Sequence, residues 1–366
     1  YAAVEMRDNP ALRDLPVAVG GRADQRGVIA TCNYEARRFG IHSAMATAQA
    51  MQRCPGLVLL PPAMEKYRIA SRQILAIYRD YTELVEPLSL DEAYLDVSDS
   101  PHCKGSATLI AQEIRARIFE TVGISASAGV APNKFVAKIA SDWNKPDGLF
   151  LVRPEEVDAF VAALPVKKLF GVGKVTEAKL NKLGVQSCAD LRSWSLLELQ
   201  HHFGRFGARL HELCRGNDER AVSSSQERKS VSVEDTYDTD LVDRRLLEGL
   251  LDRQAAKVAE RLRRARLSGR TVTVKVRLHD FSTHTRSATL PAPTDSAKVV
   301  ARLARALLTE VETAGGVRLL GVGVSALADW TQEDLFEEYD DSPEPEPAPL
   351  SDEELEKAHR ARRWVP

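Results

Sequence analysis

Pro87-Leu-Ser-Leu-Asp91-Glu92-Ala-Tyr-Leu-Asp96 sets two adjacent acids between short apolar runs. Val85–Ser89 and Ala93–Val97 read as strands, and Leu90-Asp91-Glu92 separates them as the turn of a β-hairpin. Neighbouring carboxylates inside an apolar hairpin are costly to bury unless positive charge sits beside them. Magnesium is the simplest source of that charge. Hard oxygen ligands on neighbouring strand ends can hold two ions about 4 Å apart, one activating a hydroxyl nucleophile and the other steadying a pyrophosphate leaving group. A solvent-exposed acidic turn is the competing reading of the same segment.

Upstream of the hairpin, Ala63–Tyr81 carries Tyr67, Ala70, Ile74, Ile77 and Tyr81 at spacings of three and four, which predicts a long helix with one face on a sheet. Downstream, Ser106–Thr121 reads as a helix and Ile124–Val130 as a strand. Helix, hairpin, helix, strand is the later part of a β-α-β-β-α-β ferredoxin-like unit. Its first strand is expected before Tyr1, because Tyr1-Ala-Ala-Val-Glu5 reads as the inside of an element. Val17–Val19 and Gly27–Thr31 look like short strands, and Tyr34–Phe39 and Ala46–Arg53 have helical composition.

From Pro154 to about Gly216 the pattern is wholly helical, and residues 217–229 are polar and Ser-rich, as linkers are. Val231–Tyr237, Arg270–Leu278 and Val317–Leu327 then alternate like strands around helical Leu246–Arg266 and Ser296–Thr313, which predicts a second small α/β domain. Glu337, Glu338, Asp340, Asp341 and the Pro343–Pro349 run cannot build a core, so disorder is expected there.

A chain of 366 residues exceeds what one hydrophobic core organises, so two to four domains are expected. Neither a run of about 18 apolar residues nor a basic stretch leading into an apolar one is present, which predicts a cytoplasmic protein without membrane partners. Cys32, Cys54, Cys103, Cys188 and Cys214 lie far apart, without a C-x-x-C pair, and read as reduced packing residues and not as a zinc site. The net charge of −2 hides an asymmetry: residues 329–366 hold 13 acidic against 4 basic residues, which leaves +7 on the rest. Residues 228–328 carry 18 basic against 12 acidic, with Arg261, Arg263, Arg264, Arg266 and Arg270 crowded together. A basic body with an acidic tail points to a polyanionic partner for the body.

Four segments carry a more specific signal. Ser89-Leu-Asp-Glu-Ala-Tyr-Leu-Asp96 resembles the palm signature of Y-family DNA polymerases, and Cys32-Asn-Tyr-Glu-Ala-Arg-Arg-Phe-Gly40 their fingers motif. Ser127-Ala-Gly-Val-Ala-Pro-Asn-Lys-Phe-Val-Ala-Lys138 and Ser141-Asp-Trp-Asn-Lys-Pro-Asp-Gly148 are similar to two further blocks of that family, in its bacterial branch. The resemblance runs in order from Tyr1 to about residue 327, with mild departures at His42, Ala46 and Trp143 that touch template-side contacts.

The resemblance implies an α+β multidomain fold: a ferredoxin-like palm (1–5 and 63–153), small fingers (6–62), a helical thumb with a helix-hairpin-helix (154–216), a linker (217–228), an α/β little finger (229–327) and a tail (328–366). It implies a monomeric, low-fidelity translesion enzyme that adds deoxynucleotides to a primer 3′-OH on a DNA template with two Mg2+ ions. Asp91 becomes a metal ligand and Glu92 a metal ligand and catalytic carboxylate. The family's third carboxylate would precede Tyr1, so the chain as given is expected to bind DNA but to extend it poorly. Tyr1 becomes the steric gate against ribose, where taken alone it reads as an ordinary strand-end aromatic.

Thr31, Tyr34, Arg37 and Lys145 become a triphosphate grip, although Arg37 alone reads as a surface charge. Phe170-Gly171-Val172-Gly173-Lys174 becomes a helix-hairpin-helix turn whose Gly171, Gly173 and Lys174 meet a DNA phosphate, where by itself G-x-G is a tight turn. Arg228 and Lys229 open the DNA-gripping little finger. Gln332-Glu-Asp-Leu335-Phe336 resembles the pentapeptide that binds a sliding clamp, with Leu335 and Phe336 entering an apolar pocket and Gln332 hydrogen-bonding. A non-catalytic clamp- and DNA-binding platform of the same fold is the alternative.

Overall fold

The computed structural model describes residues 1–225 and 227–329. In chain order the first elements are α1 (Ala2–Asp8), β1 (Val17–Gly20), β2 (Ile29–Cys32), α2 (Tyr34–Arg37), α3 (Thr47–Arg53) and β3 (Val58–Leu60). Next come α4 (Met64–Arg79), β4 (Val85–Pro87), β5 (Ala93–Leu95), α5 (Ala107–Val122), β6 (Ala128–Val130), α6 (Lys134–Trp143) and β7 (Leu149–Leu151). Five helices follow: α7 (Val157–Ala162), α8 (Lys174–Lys182), α9 (Cys188–Arg192), α10 (Leu196–Phe203) and α11 (Arg205–Leu213). The last elements are β8 (Ser230–Leu241), α12 (Arg244–Arg264), β9 (Leu267–Leu278), β10 (Thr283–Thr294), α13 (Ala297–Leu308) and β11 (Val317–Asp329).

These elements gather into two compact units, one of residues 3–10 and 63–226, the other of residues 1–2, 11–62 and those from 227 on. In the first unit, β4 and β5 form the antiparallel hairpin, with Val85 opposite Leu95 and Pro87 opposite Ala93. The parallel pair β6–β7 forms a second two-stranded sheet. The helix expected over Ala63–Tyr81 is α4, whose Tyr67, Ala70, Ile74 and Ile77 are buried. Ser106 starts α5 by accepting from the Leu109 N–H, and Gly123 ends it in the left-handed region at φ 73°.

Residues 2–8 form a helix, and Glu5 is the reason α1 joins this unit: its carboxylate accepts from the Tyr67 hydroxyl at 2.7 Å and from Lys66 Nζ at 3.1 Å. Arg7 donates to the Val122 carbonyl at 3.0 Å. Residues 6–10, assigned with the fingers from the sequence, therefore keep company with α4 and α5.

Helices α7 to α11 share one core with α6, built from Phe135, Val136 and Ile139 together with Val161, Leu164, Leu180, Leu191, Leu199, Leu210 and Leu213. Ser187 and Ser195 each close a capping box at the starts of α9 and α10. Gly207 lets α10 and α11 touch, since a Cβ there would sit 2.1 Å from the Leu199 carbonyl oxygen.

Residues 217–223 look like a linker in composition but are pinned. The Asp218 side chain, with none of its surface exposed, accepts from the Phe135 N–H, from Arg209 at 3.1 Å and twice from Arg220 at 2.7 and 2.8 Å. Burial pushes the Asp218 carboxyl up, but the two guanidinium groups outweigh it and hold the group at about 2. Lys134, itself buried, donates to Glu86 at 2.5 Å and to the Ala221 carbonyl at 2.8 Å.

In the second unit, β1 lies between antiparallel β2 and parallel β3. A four-stranded antiparallel sheet has the order β10-β9-β11-β8, with α12 and α13 packed over Val272, Val274, Val276, Leu320, Val322 and Val324. The strand β10 was not expected. Its sequence, Thr-His-Thr-Arg-Ser-Ala-Thr-Leu-Pro-Ala-Pro-Thr, is small and polar because it sits half-exposed at a sheet edge, with Pro291 and Pro293 where the register shifts. The three-residue strands β3 and β7 were also missed, being too short to show a period.

Candidate active site and nucleic-acid contacts

Asp91 and Glu92 stand in the β4–β5 loop, which is closed by the Leu88 N–H donating to the Glu92 carbonyl at 2.8 Å. Asp91 is exposed and the Glu92 side chain is 41% exposed, so the premise that the pair is buried is corrected: the acids project from the end of the hairpin. Ser89 Oγ donates to Asp91 Oδ1 at 2.6 Å. Lys138 Nζ donates to Glu92 Oε1 at 2.6 Å.

Helix α6 supplies that lysine. Phe135, Val136, Ile139 and Ala140 bury one face, while Lys134 and Lys138, one turn apart, reach Glu86 and Glu92 of the hairpin. Nothing in the sequence reading assigned either lysine a role, although the i, i+4 pair beside an apolar stripe was there to be seen. Asp142, one further turn along, pairs with Lys145 at 2.6 Å. Burial raises the Asp142 carboxyl, but Lys145, Lys138 and Lys168 together hold it below its ordinary value. Tyr78 is half-buried, and its hydroxyl is pushed up to about 12 by burial, with the Asp91 charge adding to the effect.

The acids offer hard oxygens. Among the described residues no group of three or more His, Cys, Asp or Glu side chains could hold a metal ion. Two carboxylates nevertheless suit magnesium, which commonly binds one or two carboxylates and takes its remaining oxygens from waters and substrate phosphates.

In the other unit, Asn33 fixes the start of α2. Its side-chain oxygen accepts from the N–H groups of Ala36 at 3.0 Å and Val17 at 2.9 Å, and its amide donates to the Leu15 carbonyl at 2.7 Å. Ala36 is fully buried, which leaves Tyr34 and Arg37 on the exposed face, with the guanidinium 5.8 Å from the Tyr34 ring centre. Thr31 lies in β2 just ahead, and Tyr1 immediately precedes α1.

Gly171 and Gly173 bracket the turn before α8. Gly171 has φ +91°, and a Cβ there would meet the Phe206 ring at 2.9 Å, so both conformation and space require glycine. Gly173 is the N-cap of α8, and Lys174 is exposed in its first turn.

The face of the four-stranded sheet opposite its helices carries a grid of small polar and basic residues. Lys275 neighbours Thr285 and Gly321, and Thr273 neighbours Ser287 and Gly323. Gly321 and Gly323 keep this face low, because a Cβ at Gly321 would sit 2.8 Å from Glu234 Cβ. Arg228 and Lys229 lie exposed just before β8.

Residues 1–142 match the impB/mucB/samB family, residues 228–335 its C-terminal domain, and residues 167–218 the DNA polymerase-iota thumb domain. Over 330 residues the chain is 61% identical to DNA polymerase IV of Ralstonia nicotianae, an alignment that covers 88% of this chain and 90% of that one. The chain belongs to the Y-family DNA polymerases of the DNA polymerase IV group. It is a DNA-directed DNA polymerase.

This polymerase is also 55% identical to DNA polymerase IV of Pseudomonas putida KT2440 over 328 residues, 88% of this chain and 91% of the relative. Its structure resembles a Y-family DNA polymerase chimera of Dbh and Dpo4, with a TM-score of 0.82 at 28% identity, covering 89% of this chain and 96% of that one. DinB from Sulfolobus solfataricus matches with a TM-score of 0.60 at 27% identity, covering 89% and 95%. The polymerase resemblance read from the motif blocks is thereby borne out, as is the multidomain fold with its helix-hairpin-helix thumb. No described helix is long and apolar enough to cross a membrane. Gln332, Leu335 and Phe336 lie outside the described residues.

Proposed function

We propose that this polymerase performs template-directed, low-fidelity translesion synthesis, adding a deoxynucleotide to a primer 3′-OH. The observation that carries the reading is the pair Asp91–Glu92 at the free end of the hairpin, with Lys138 on Glu92 Oε1. In the reaction the primer 3′-hydroxyl gives up its proton to solvent, its O3′ forms a bond to the α-phosphorus of the incoming triphosphate, the bond from that phosphorus to the oxygen bridging the α- and β-phosphates breaks, and pyrophosphate leaves.

Asp91 and Glu92 would hold magnesium, which when bound supplies charge that favours the attacking alkoxide and the departing pyrophosphate. Lys138 steadies Glu92 when substrate is absent, and its charge would be freed to meet phosphate once Glu92 is engaged. Thr31, Tyr34, Arg37 and Lys145 bind the triphosphate, Arg37 offering a planar fork of donors to phosphate oxygens. Tyr1 discriminates against the ribose 2′-hydroxyl.

Gly171, Gly173 and Lys174 of the thumb, and Arg228, Lys229 and the polar sheet face of the little finger, hold primer-template DNA through its phosphates, so affinity falls steeply with salt. Gln332, Leu335 and Phe336 anchor a sliding clamp, and the enzyme works as a monomer in the cytoplasm. In a chain restored at its N-terminus, Asp91→Ala and Glu92→Ala are expected to abolish primer extension while DNA binding, read by fluorescence anisotropy, stays within about twofold, since removing an ion-holding group acts on the transition state. Extension by either variant at the rate of the parent would overturn the catalytic assignment.

A further inference from the structure

At one rim of the four-stranded sheet, a cavity of about 440 Å³ is lined by Arg228, Ser230, Val231, Ser232, Arg261, Arg264 and Ala265. Three arginines from two directions converge there: Arg228 from the run into β8, Arg261 and Arg264 from the last turns of α12. Arg261 is oriented by donating to the Ser232 carbonyl at 2.7 Å. Arg264 pairs with Glu260 at 2.5 Å, a surface pair with both partners largely exposed and so worth little against a stronger anion.

The register of the sheet says where the chain goes next. Ser325 of β11 lies opposite Ser230 of β8, and Asp329, the last residue of β11, lies opposite Leu267, two residues beyond Ala265. Paired strand residues are about 5 Å apart and two residues span at most about 7 Å, so the chain leaves the sheet within roughly 12 Å of the cavity wall. What leaves is acidic, with Glu333, Asp334, Glu337, Glu338, Asp340, Asp341, Glu344 and Glu346 in the first stretch beyond Asp329. From Asp329 to Glu337 an extended chain reaches up to about 28 Å.

We propose that the acidic segment 337–346 of the same chain docks in this arginine-lined cavity as an internal polyanion. Tethering so close to the site raises the local concentration of the segment to the millimolar range, so that weak pairwise attractions suffice. The docked segment holds the neighbouring residues 332–336 against the sheet rim and competes with any external polyanion for Arg228, Arg261 and Arg264. A nucleic-acid phosphate that takes the cavity releases the segment, and residues 332–336 with it. The inference rests on the cavity, the register and the charge pattern, and not on the assignment of the catalytic carboxylates.

The test places a photo-crosslinking p-benzoylphenylalanine at Tyr339 in the full chain and maps the products by mass spectrometry. Crosslinks are expected at 228–232 and 261–265, and their yield should fall about fivefold in 1 M salt, where the screening length shrinks to about 3 Å. Arg261→Glu with Arg264→Glu should remove them. Adding Glu337→Lys, Glu338→Lys, Asp340→Lys and Asp341→Lys to that variant should bring them back, which a merely misfolded pocket would not allow. Crosslinks spread evenly over the surface, or an unchanged yield in the Arg261→Glu, Arg264→Glu variant, would overturn the proposal. So would failure of the charge swap to restore them in a variant that melts like the parent.

Discussion

Asp218 and Glu92 are carboxylates in the same unit, each held by cationic side chains, and they are built for opposite ends. Asp218 has no exposed surface and receives four donors, from the Phe135 N–H, Arg209 and Arg220, which matches the four lone-pair positions of a carboxylate. Glu92 is 41% exposed and, among the described residues, is met by Lys138 at 2.6 Å, while Asp91 beside it is exposed. A carboxylate whose positions are all filled from inside the fold is a fastener. One with open positions at a loop end is available to something that arrives.

The contrast is broken or sharpened most strongly by matched amide substitutions. In a chain restored at its N-terminus, Glu92→Gln is expected to lower the primer-extension rate by about 10³-fold, because it removes charge that acts in the transition state. Its melting midpoint should move by no more than about 2 °C. A rate within tenfold of the parent would make Glu92 an ordinary surface acid.

Asp218→Asn should do the reverse. Leaving Arg209 and Arg220 beside a neutral group is expected to cost about 3 kcal/mol and to lower the melting midpoint of that unit by roughly 6–12 °C. Calorimetry that shows no change would mean the four donors contribute nothing net.

A smaller effect appears on acidification. The Asp218 carboxyl is held at about 2, below its ordinary value of 3.8, so its contribution is complete above that ordinary value. It is lost as pH falls from about 4 towards 2, and amounts to about 2 kcal/mol. Urea midpoints measured from pH 6 to pH 2 should fall more steeply in the parent than in Asp218→Asn, and parallel curves would remove Asp218 as the cause.

Lys138→Ala should have the least effect. Taking a positive charge away from Glu92 is expected to tighten manganese binding, read by electron paramagnetic resonance, by about three- to tenfold. Unchanged or weaker binding would show that Lys138 does not compete with a cation for Glu92.

Much of this was legible beforehand. The periodicity of Ala63–Tyr81 and Ser106–Thr121 located α4 and α5 to within about two residues, because both helices bury one regular stripe. The acids of the hairpin stood out by position, although the argument that they were buried failed, since whether a loop end faces solvent is decided by tertiary packing. The role of Asp218 was hidden for the same reason: local composition says linker, while its partners Phe135 and Arg209 come from α6 and α11. Strand β10 escaped because an edge strand needs no apolar alternation, and Lys138 because an exposed lysine on a helix is ordinary until its partner is placed.

The prolines of β10 have a consequence for handling the molecule in quantity. Open strand edges are templates on which a second copy can extend a ladder. Pro291 and Pro293 lack the N–H that such a ladder would need, and on the opposite edge Arg261 already occupies the Ser232 carbonyl. One edge lacks two donors near the end of β10 and the other has one acceptor capped on β8, so a ladder added along either edge of this sheet would be interrupted at those positions.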